Sequence, residues 1–329
     1  MKNQILALQN ESPYVDCLVA QERLYGRSKR WLGGQLWLAL IGIAGSVTAY
    51  LYADLKFAVG LYGLLVLLLE ALWLNPRHKQ WREAGAHALE EFDNRLLGMD
   101  WNVHRAPRPK TLSELLNERG RHTAKTLNRN LLNWYHPWWP DARFKLSDLP
   151  LPLARLVCQR QNVWWDSRQR EEYAEWLRWI LFGSLVLAIV LALLYVRQHG
   201  GTPAQAVESA LVVFVLPLAG FFKLMYQMYT EQRDAIVQIN KLRDTGADIW
   251  KAALADPESP ELLRLSRALQ DEIYEGRRRR PVVFDFIYKR LRPRQELDNQ
   301  HNTERLVEEA LAALSAKPSP PLQAHAPTA

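Results

Sequence analysis

The fold is decided by residues 31–74, which read WLGGQLWLALIGIAGSVTAYLYADLKFAVGLYGLLVLLLEALWL. This stretch is apolar except for a short polar turn at residues 53–56. Each arm beside the turn has roughly 20 residues, the length that an α-helix needs to cross about 30 Å of hydrocarbon. Because the turn is short, the two arms run antiparallel and enter and leave on one side of the membrane. The sequence therefore predicts a transmembrane hairpin.

A second apolar stretch covers residues 176–226 and is interrupted by the polar segment RQHGGT at 197–202. Its first arm is dense in Leu, Ile and Val, whereas its second arm has only fourteen residues between Glu208 and Lys223. That arm spans a bilayer only if both charged side chains reach toward opposite interfaces. The alternative is a core helix of a soluble domain. We favour an all-α membrane protein with four transmembrane helices in two hairpins and a helical cytoplasmic region.

The distribution of basic residues predicts the orientation of these hairpins. Of 42 Lys and Arg residues, the two hairpin turns hold only Lys56 and Arg197. Segments rich in Lys and Arg near the ends of spans stay in the cytoplasm. Both termini and the segment between the hairpins are therefore expected on the cytoplasmic side of the inner membrane. This bias also accounts for much of the net charge of +7, so DNA is not expected as a partner.

The expected division of the chain follows from these spans. It comprises a cytoplasmic N-terminal helix at 1–30, a hairpin at 31–74, a cytoplasmic helical region at 75–175, a hairpin at 176–226, a cytoplasmic helical region at 227–316 and a disordered tail at 317–329. Thr111 and Glu114 have the spacing of a capping box, which predicts a helix start. Apolar residues also recur every seven positions at 228, 235, 242 and 249. This seam packs either between subunits or within the chain, and we favour the second.

Motifs of catalysis and metal binding are missing from the sequence. No glycine-rich phosphate loop occurs, and no two of the eight histidines are placed one helical turn apart as metal ligands would be. Cys17 and Cys158 are the two cysteines, and neither belongs to a zinc motif. We therefore expect a protein that is not an enzyme and that needs no metal or cofactor.

Two blocks combine Arg, carboxylate and aromatic residues more densely than structural helices need. One covers residues 158–176 and the other covers residues 269–288. This mixture stacks bases and clamps phosphates in other proteins, and it also builds buried junctions between helices. Both interpretations stay open. The candidates for ligand or partner binding are Arg160, Trp164, Trp165, Asp166, Arg170, Asp271, Arg277 and Arg278.

Three residues in the predicted spans are candidates for a pore or gate. Glu70 lies roughly 6 Å from the inner end of its span, at 1.5 Å per residue. It either lines a cation path or pairs with a nearby Arg, and we favour the second. Glu208 lies near the outer mouth, and Pro217 is either a hinge or a simple bend.

The sequence resembles the SMODS-associating four-transmembrane effector family. The resemblance is carried by AQERLYGRSKR at 20–30, by Asn133-Trp-Tyr135, by CQRQNVWWDSRQREEYAEW at 158–176 and by SRALQDEIYEGRRRRPVVFDFIYKRLR at 266–292. The order of the spans matches as well. The resemblance covers roughly residues 10–308.

Membership of this family would imply a bacterial antiviral effector encoded beside a nucleotidyltransferase that makes cyclic oligonucleotides. The resemblance implies an effector that opens or disrupts the inner membrane when a cyclic oligonucleotide or the cognate nucleotidyltransferase system signals infection. Four weakly polar spans cannot enclose a wide aqueous pore, so a homo-oligomer is expected. The lipid bilayer is the remaining expected partner. The alternatives are a membrane-anchored scaffold that recruits a cytoplasmic partner and a small-solute channel or transporter.

Overall fold

The computed structural model describes residues 3–123, 131–135, 145–199, 204 and 216–316. Every regular element in these ranges is helical, so the all-α prediction is confirmed. The α-helices are α1 (Ile5–Leu8), α2 (Ser12–Leu51), α3 (Lys56–Leu69), α4 (Asn75–Leu96), α5 (Leu112–Arg119), α6 (Leu151–His199), α7 (Leu216–Ala255), α8 (Glu261–Arg279) and α9 (Asp285–Ala316). Short 3-10 helices occur at Ala53–Leu55 and Leu146–Asp148, and a π-helical turn at Glu70–Leu74 joins α3 to α4.

The first apolar stretch forms a helical hairpin from α2 and α3. The 3-10 turn at Ala53–Leu55 reverses the chain, at the position where the polar turn was predicted. The Tyr62 hydroxyl donates a hydrogen bond of 2.8 Å to the Leu38 carbonyl across the hairpin. Gly42 faces the Tyr62 ring, and a Cβ there would meet the ring at 3.5 Å, an ordinary contact distance.

Large apolar side chains in both apolar stretches are exposed, as lipid-facing side chains would be. Within the described part of the chain, one helix, Phe57–Leu96, is long and apolar enough to cross a membrane, and only 6% of its apolar window is buried. On α6, Trp179, Phe182 and Leu193 are also largely exposed. The arrangement of four spans in two hairpins remains a prediction.

Outside the apolar stretches, the helices pack into a bundle with one main apolar core. α2 lies along α4, and α6 lies along α7. Eight of the nine α-helices in the described ranges, all except α3, contribute buried residues to it, for example Ile5, Leu18, Phe92, Leu115, Leu153, Ile239, Ile273 and Leu306. The seam predicted at 228, 235, 242 and 249 is buried inside this chain, as the intrachain interpretation expected.

Local signals placed two helix ends correctly. The Thr111 hydroxyl oxygen accepts a hydrogen bond from the Glu114 backbone N–H, and the Glu114 carboxylate accepts one from the Thr111 backbone N–H. The predicted capping box is therefore confirmed. α4 ends at Leu96, and Gly98 follows with φ of +61°, a left-handed conformation that favours glycine. The tail predicted at 317–329 lies outside the described residues.

Candidate ligand-binding site

A cavity of about 260 Å³ lies between α2, α6, α8 and α9. It brings together the two blocks that the sequence singled out. The first block contributes Trp165, Asp166 and Arg170 from α6, and the second contributes Arg277 and Tyr288. Further lining residues come from α2 and α9, among them Gln21, Tyr25, Lys29, Arg292 and Asn299.

Asp166 is the hub of an ion-pair network in the cavity wall. One of its carboxylate oxygens accepts a hydrogen bond of 2.7 Å from Arg170, and the other accepts one of 2.7 Å from Arg280. Burial alone would raise the pKa of Asp166, but the two guanidinium groups outweigh burial and lower it. The carboxylate is therefore held ionised between two buried cations.

Arg170 ties this network to the segment between α8 and α9. Its Nη1 donates to the Pro281 carbonyl at 2.7 Å and to the Gln232 side chain of α7 at 2.9 Å. One α6 side chain thus fixes both α7 and the link that follows α8. The same helix, α6, continues into the second apolar stretch.

Arg280 reaches the cavity because Gly276 leaves space for it. A Cβ atom built on Gly276 would overlap the Arg280 guanidinium. Arg280 itself is 5% exposed. The side chain therefore folds back over its own helix, in a position that any larger residue at 276 would block.

Arg277 anchors a second network behind the cavity. Its Nη1 donates to Asp93 on α4 at 2.5 Å, and the Tyr135 hydroxyl donates to the other Asp93 oxygen at 2.7 Å. Burial would lower the pKa of Arg277, but Asp93 raises it above its ordinary value. Burial, reinforced by Asp93, raises the pKa of Tyr135. Gln270 adds a hydrogen bond to Asp93 and one to Glu90.

The eight ligand candidates fall into separate places in the structure. Trp165, Asp166, Arg170 and Arg277 line the cavity described above. Arg160 and Trp164 instead line a second cavity of about 120 Å³ beside α7.

Asp271 and Arg278 belong to neither of these two cavities. Asp271 accepts hydrogen bonds from Asn102 and Arg267. Arg278 pairs with Glu275 at 3.1 Å. The four-arginine run thus divides, since 277 and 280 face the cavity while 278 and 279 pair with Glu275.

Two of the three pore candidates, Glu70 and Pro217, lie within helical segments of the structure. Glu70 is half-buried and opens the π-helical turn between α3 and α4. Pro217 is the second residue of α7. Glu208 lies outside the described residues.

Sequence reasoning missed several polar residues of the site. Glu90 and Asp93 are at most 1% exposed, and neither was among the candidates from the sequence. Burial, together with the nearby Asp93, raises the pKa of Glu90. The signal was a cluster of charged residues between apolar ones, at positions where a simple amphipathic helix would expose them. Gln21 and Asn299, which also line the cavity, gave no signal in the sequence.

A family model described as the SMODS-associating 4TM effector domain matches residues 3–306. The chain belongs to this family. The resemblance noted in the sequence is thereby confirmed. Membership of the SMODS-associating 4TM effector family implies a membrane effector associated with SMODS signalling systems, which are linked to nucleotidyltransferases.

The matched range includes both apolar stretches and every residue that lines the larger cavity. No curated protein and no solved structure matches the chain.

Proposed function

We propose that this member of the SMODS-associating 4TM effector family permeabilises the bacterial inner membrane when its cytoplasmic helices receive a signal. The signal is a cyclic oligonucleotide or the cognate nucleotidyltransferase system. The proposed activity involves no chemical reaction. It belongs to a defence system against phages, in which loss of the membrane barrier stops the infected cell.

The observation that carries this proposal is the continuity between bundle and apolar hairpins. α2 starts among fully buried residues such as Leu18 and Leu24 and continues to Trp37, which is 68% exposed. α6 has 49 residues, a length of about 73 Å at 1.5 Å per residue, which exceeds a bilayer core of about 30 Å. A helix of this length transmits displacement from the bundle into its apolar part.

The membrane arrangement proposed here retains the topology expected from charge. Four spans cross the inner membrane, and both termini and the bundle face the cytoplasm. Four weakly polar spans are too few to enclose a wide aqueous pore. The active form is therefore a homo-oligomer whose hairpins assemble into a pore or disrupt the lipid. In this arrangement Glu70, Glu208 and Pro217 are the pore or gating candidates.

Dye release from liposomes tests the proposal. The full chain is reconstituted into liposomes that contain a self-quenched dye, and its insertion is confirmed by protease protection. Addition of cyclic di- or trinucleotides, or of the cognate nucleotidyltransferase with its substrates, is expected to release the dye. AMP serves as the matched negative ligand. Absence of release from inserted protein under all these stimuli would contradict the proposal.

A hairpin replacement separates permeabilisation from simple anchoring. Residues 31–74 and 176–226 are exchanged for unrelated hairpins of equal length. A permeabilising protein loses growth arrest and dye release while it stays in the membrane. A scaffold that only recruits a cytoplasmic partner would keep its activity.

A further inference from the structure

The larger cavity contains polar groups that have no partner within the described protein. They are Gln21 Oε1, Arg280 Nε, Arg292 Nη1 and Asn299 Oδ1. Gln21, Arg280 and Asn299 are only 7%, 5% and 2% exposed. Buried polar groups are nearly always hydrogen-bonded, so several orphans around one cavity indicate a missing binding partner. Gln21 lies on α2, Arg280 lies in the link that follows α8, and Arg292 and Asn299 lie on α9.

Aromatic side chains supply the apolar part of the same cavity. The rings of Trp165 and Tyr288 have centroids 6.3 Å apart and are inclined by 57°. Tyr25 and Trp134 also line the cavity. Faces of this kind stack on heteroaromatic bases, and neighbouring amides bond the base edges. The amides here are those of Gln21, Gln161, Asn162 and Asn299.

The charges that line the cavity are almost balanced. Five basic side chains face four acidic ones, namely Lys29, Arg170, Arg277, Arg280 and Arg292 against Glu22, Asp166, Asp285 and Glu296. The two orphaned N–H groups both belong to arginines, Arg280 and Arg292. Guanidinium groups bind phosphate with charge-assisted hydrogen bonds. The lining therefore suits a ligand with a single negative charge.

We infer that this cavity binds one nucleotide unit of a larger nucleotide ligand. The base stacks near Trp165 and Tyr288, with its edge hydrogen-bonded to Gln21 and Asn299. One phosphate bonds the guanidinium groups of Arg280 and Arg292, which both line the cavity. A volume of about 260 Å³ is slightly below the 300–1,000 Å³ of typical ligand pockets, so a single unit rather than a whole cyclic oligonucleotide is enclosed.

This inference rests on the proposed function in one respect, the nucleotide nature of the signal. The cavity also explains how such a ligand would act on the bundle. The phosphate would compete with the Asp166 carboxylate for Arg280, which loosens the link between α8 and α6. Asp166 is thus a positioning residue that holds the site in its ligand-free arrangement.

Binding measurements on the full chain in detergent or nanodiscs test the inference. Titrations use cyclic di-AMP, cyclic di-GMP, cyclic GMP-AMP and cyclic tri-AMP, and inorganic phosphate and phosphatidylglycerol serve as competitors. Arg280→Gln and Asn299→Leu are each expected to weaken binding by tenfold or more. Arg279→Gln is the matched control, since Arg279 is the adjacent residue, 69% exposed and paired with Glu275. Its affinity is expected to stay within twofold of wild type.

Loss of the buried Arg280 could prevent folding, and Asn299→Leu then keeps the test valid. This substitution breaks no ion pair and removes the unpartnered oxygen without a change of charge. Asp166→Asn is expected to strengthen nucleotide binding at least threefold, because the carboxylate that competes with the phosphate for Arg280 is removed. Three results would overturn the inference. They are no binding by any of the four nucleotides, wild-type affinity in both weakening variants, or equally strong displacement by phosphate or phosphatidylglycerol.

The outcomes separate this site from the proposed function. If wild-type protein releases dye and the two variants respond at the same nucleotide dose, the cavity inference fails and the effector function stands. If nucleotides bind at Arg280 and Asn299 but inserted protein never releases dye, the effector function fails and the site stands.

Discussion

Arg280 donates a hydrogen bond of 2.7 Å to Asp166, a residue 114 positions earlier in the chain. This contact joins the end of α8 to α6, the helix that continues into the second apolar stretch. Asp166 also accepts from Arg170, so one carboxylate compensates two buried guanidinium groups. An ion-pair cluster therefore holds the end of α8 against the helix that continues into the apolar stretch.

Removal of this carboxylate should destabilise the bundle. Asp166→Ala leaves Arg170 and Arg280 buried without their common partner. Breaking a buried pair costs roughly 3–5 kcal/mol, and we expect the lower end because the Asp166 side chain is 24% exposed. The free energy of unfolding is measured by urea titration in detergent.

Glu261→Ala is the control for this measurement. Glu261 pairs with Arg264 on the open surface of α8, where both side chains are about half or more exposed. Exposed pairs contribute little, so no measurable change is expected. Equal effects of the two substitutions would show that the Asp166 cluster has no special role.

A methyl group at position 276 should disturb the same cluster without changing any charge. Gly276→Ala places a Cβ where the Arg280 guanidinium lies, and overpacking of this kind costs about 1–3 kcal/mol. Gly26→Ala in α2 is the matched control, because no atom lies within 4 Å of a Cβ there. Alanine is the better helix former, so the control should gain about 0.5–1 kcal/mol. The unfolding temperatures of the two variants and the wild type are compared by circular dichroism. A Gly276→Ala protein more stable than wild type would refute the packing argument.

Acidification should destabilise the bundle through His87. Burial, reinforced by nearby Lys110, lowers the pKa of His87 to about 4, against an ordinary value of about 6.5. Between these values the unfolded chain binds a proton that the folded chain does not. Stability is therefore complete above about pH 6.5 and falls as the pH drops toward 4. Between about pH 7 and pH 5 the expected loss from this residue is about 2 kcal/mol.

The contribution of His87 is isolated by comparison with His87→Leu. The wild-type protein contains other titrating groups. Burial raises the pKa of Glu90, so protonation of Glu90 stabilises the folded protein in acid and opposes the effect of His87. Subtraction of the variant's pH profile removes these shared contributions. Urea midpoints at both pH values provide the measurement. If the two profiles are parallel, His87 is not the group that responds.

The sequence predicted the parts of this fold that depend on local patterns. Apolar length indicated the hairpin of α2 and α3, and the spacing of Thr111 and Glu114 indicated a helix start that the structure confirms. The seven-residue seam of α7 was correctly assigned to packing within the chain. Each of these features is encoded within a few turns of one helix.

The candidate site depends on contacts between distant segments, and its geometry was not predictable in the same way. Trp164 and Trp165 are adjacent in sequence, yet they line different cavities because neighbouring helical positions differ by about 100°. Arg279 and Arg280 diverge because α8 ends between them. Asp93 is buried only because Arg277 and Tyr135, which lie far along the chain, compensate its charge.

Cysteine labelling should establish on which side of the membrane each segment lies. Asp54→Cys places a thiol in the exposed first turn, Gly200→Cys places one in the polar segment predicted from the sequence as the second turn, and Arg279→Cys places one on the bundle. Native Cys17 and Cys158 are fully buried, and burial raises the pKa of both thiols, that of Cys17 to about 12. They are therefore unreactive toward maleimide, and no cysteine-free background is needed.

In intact spheroplasts, a membrane-impermeant maleimide is expected to label the thiols at 54 and 200 but not the thiol at 279. The thiol at 279 should react only after the membrane is broken. This third position decides whether the short arm between Glu208 and Lys223 crosses the bilayer. If the second turn lies outside and that arm does not cross back, the bundle helices α8 and α9 would lie outside with the second turn. Labelling at 279 in sealed spheroplasts would therefore contradict the fourth span, because the positive-inside topology requires the arm to cross.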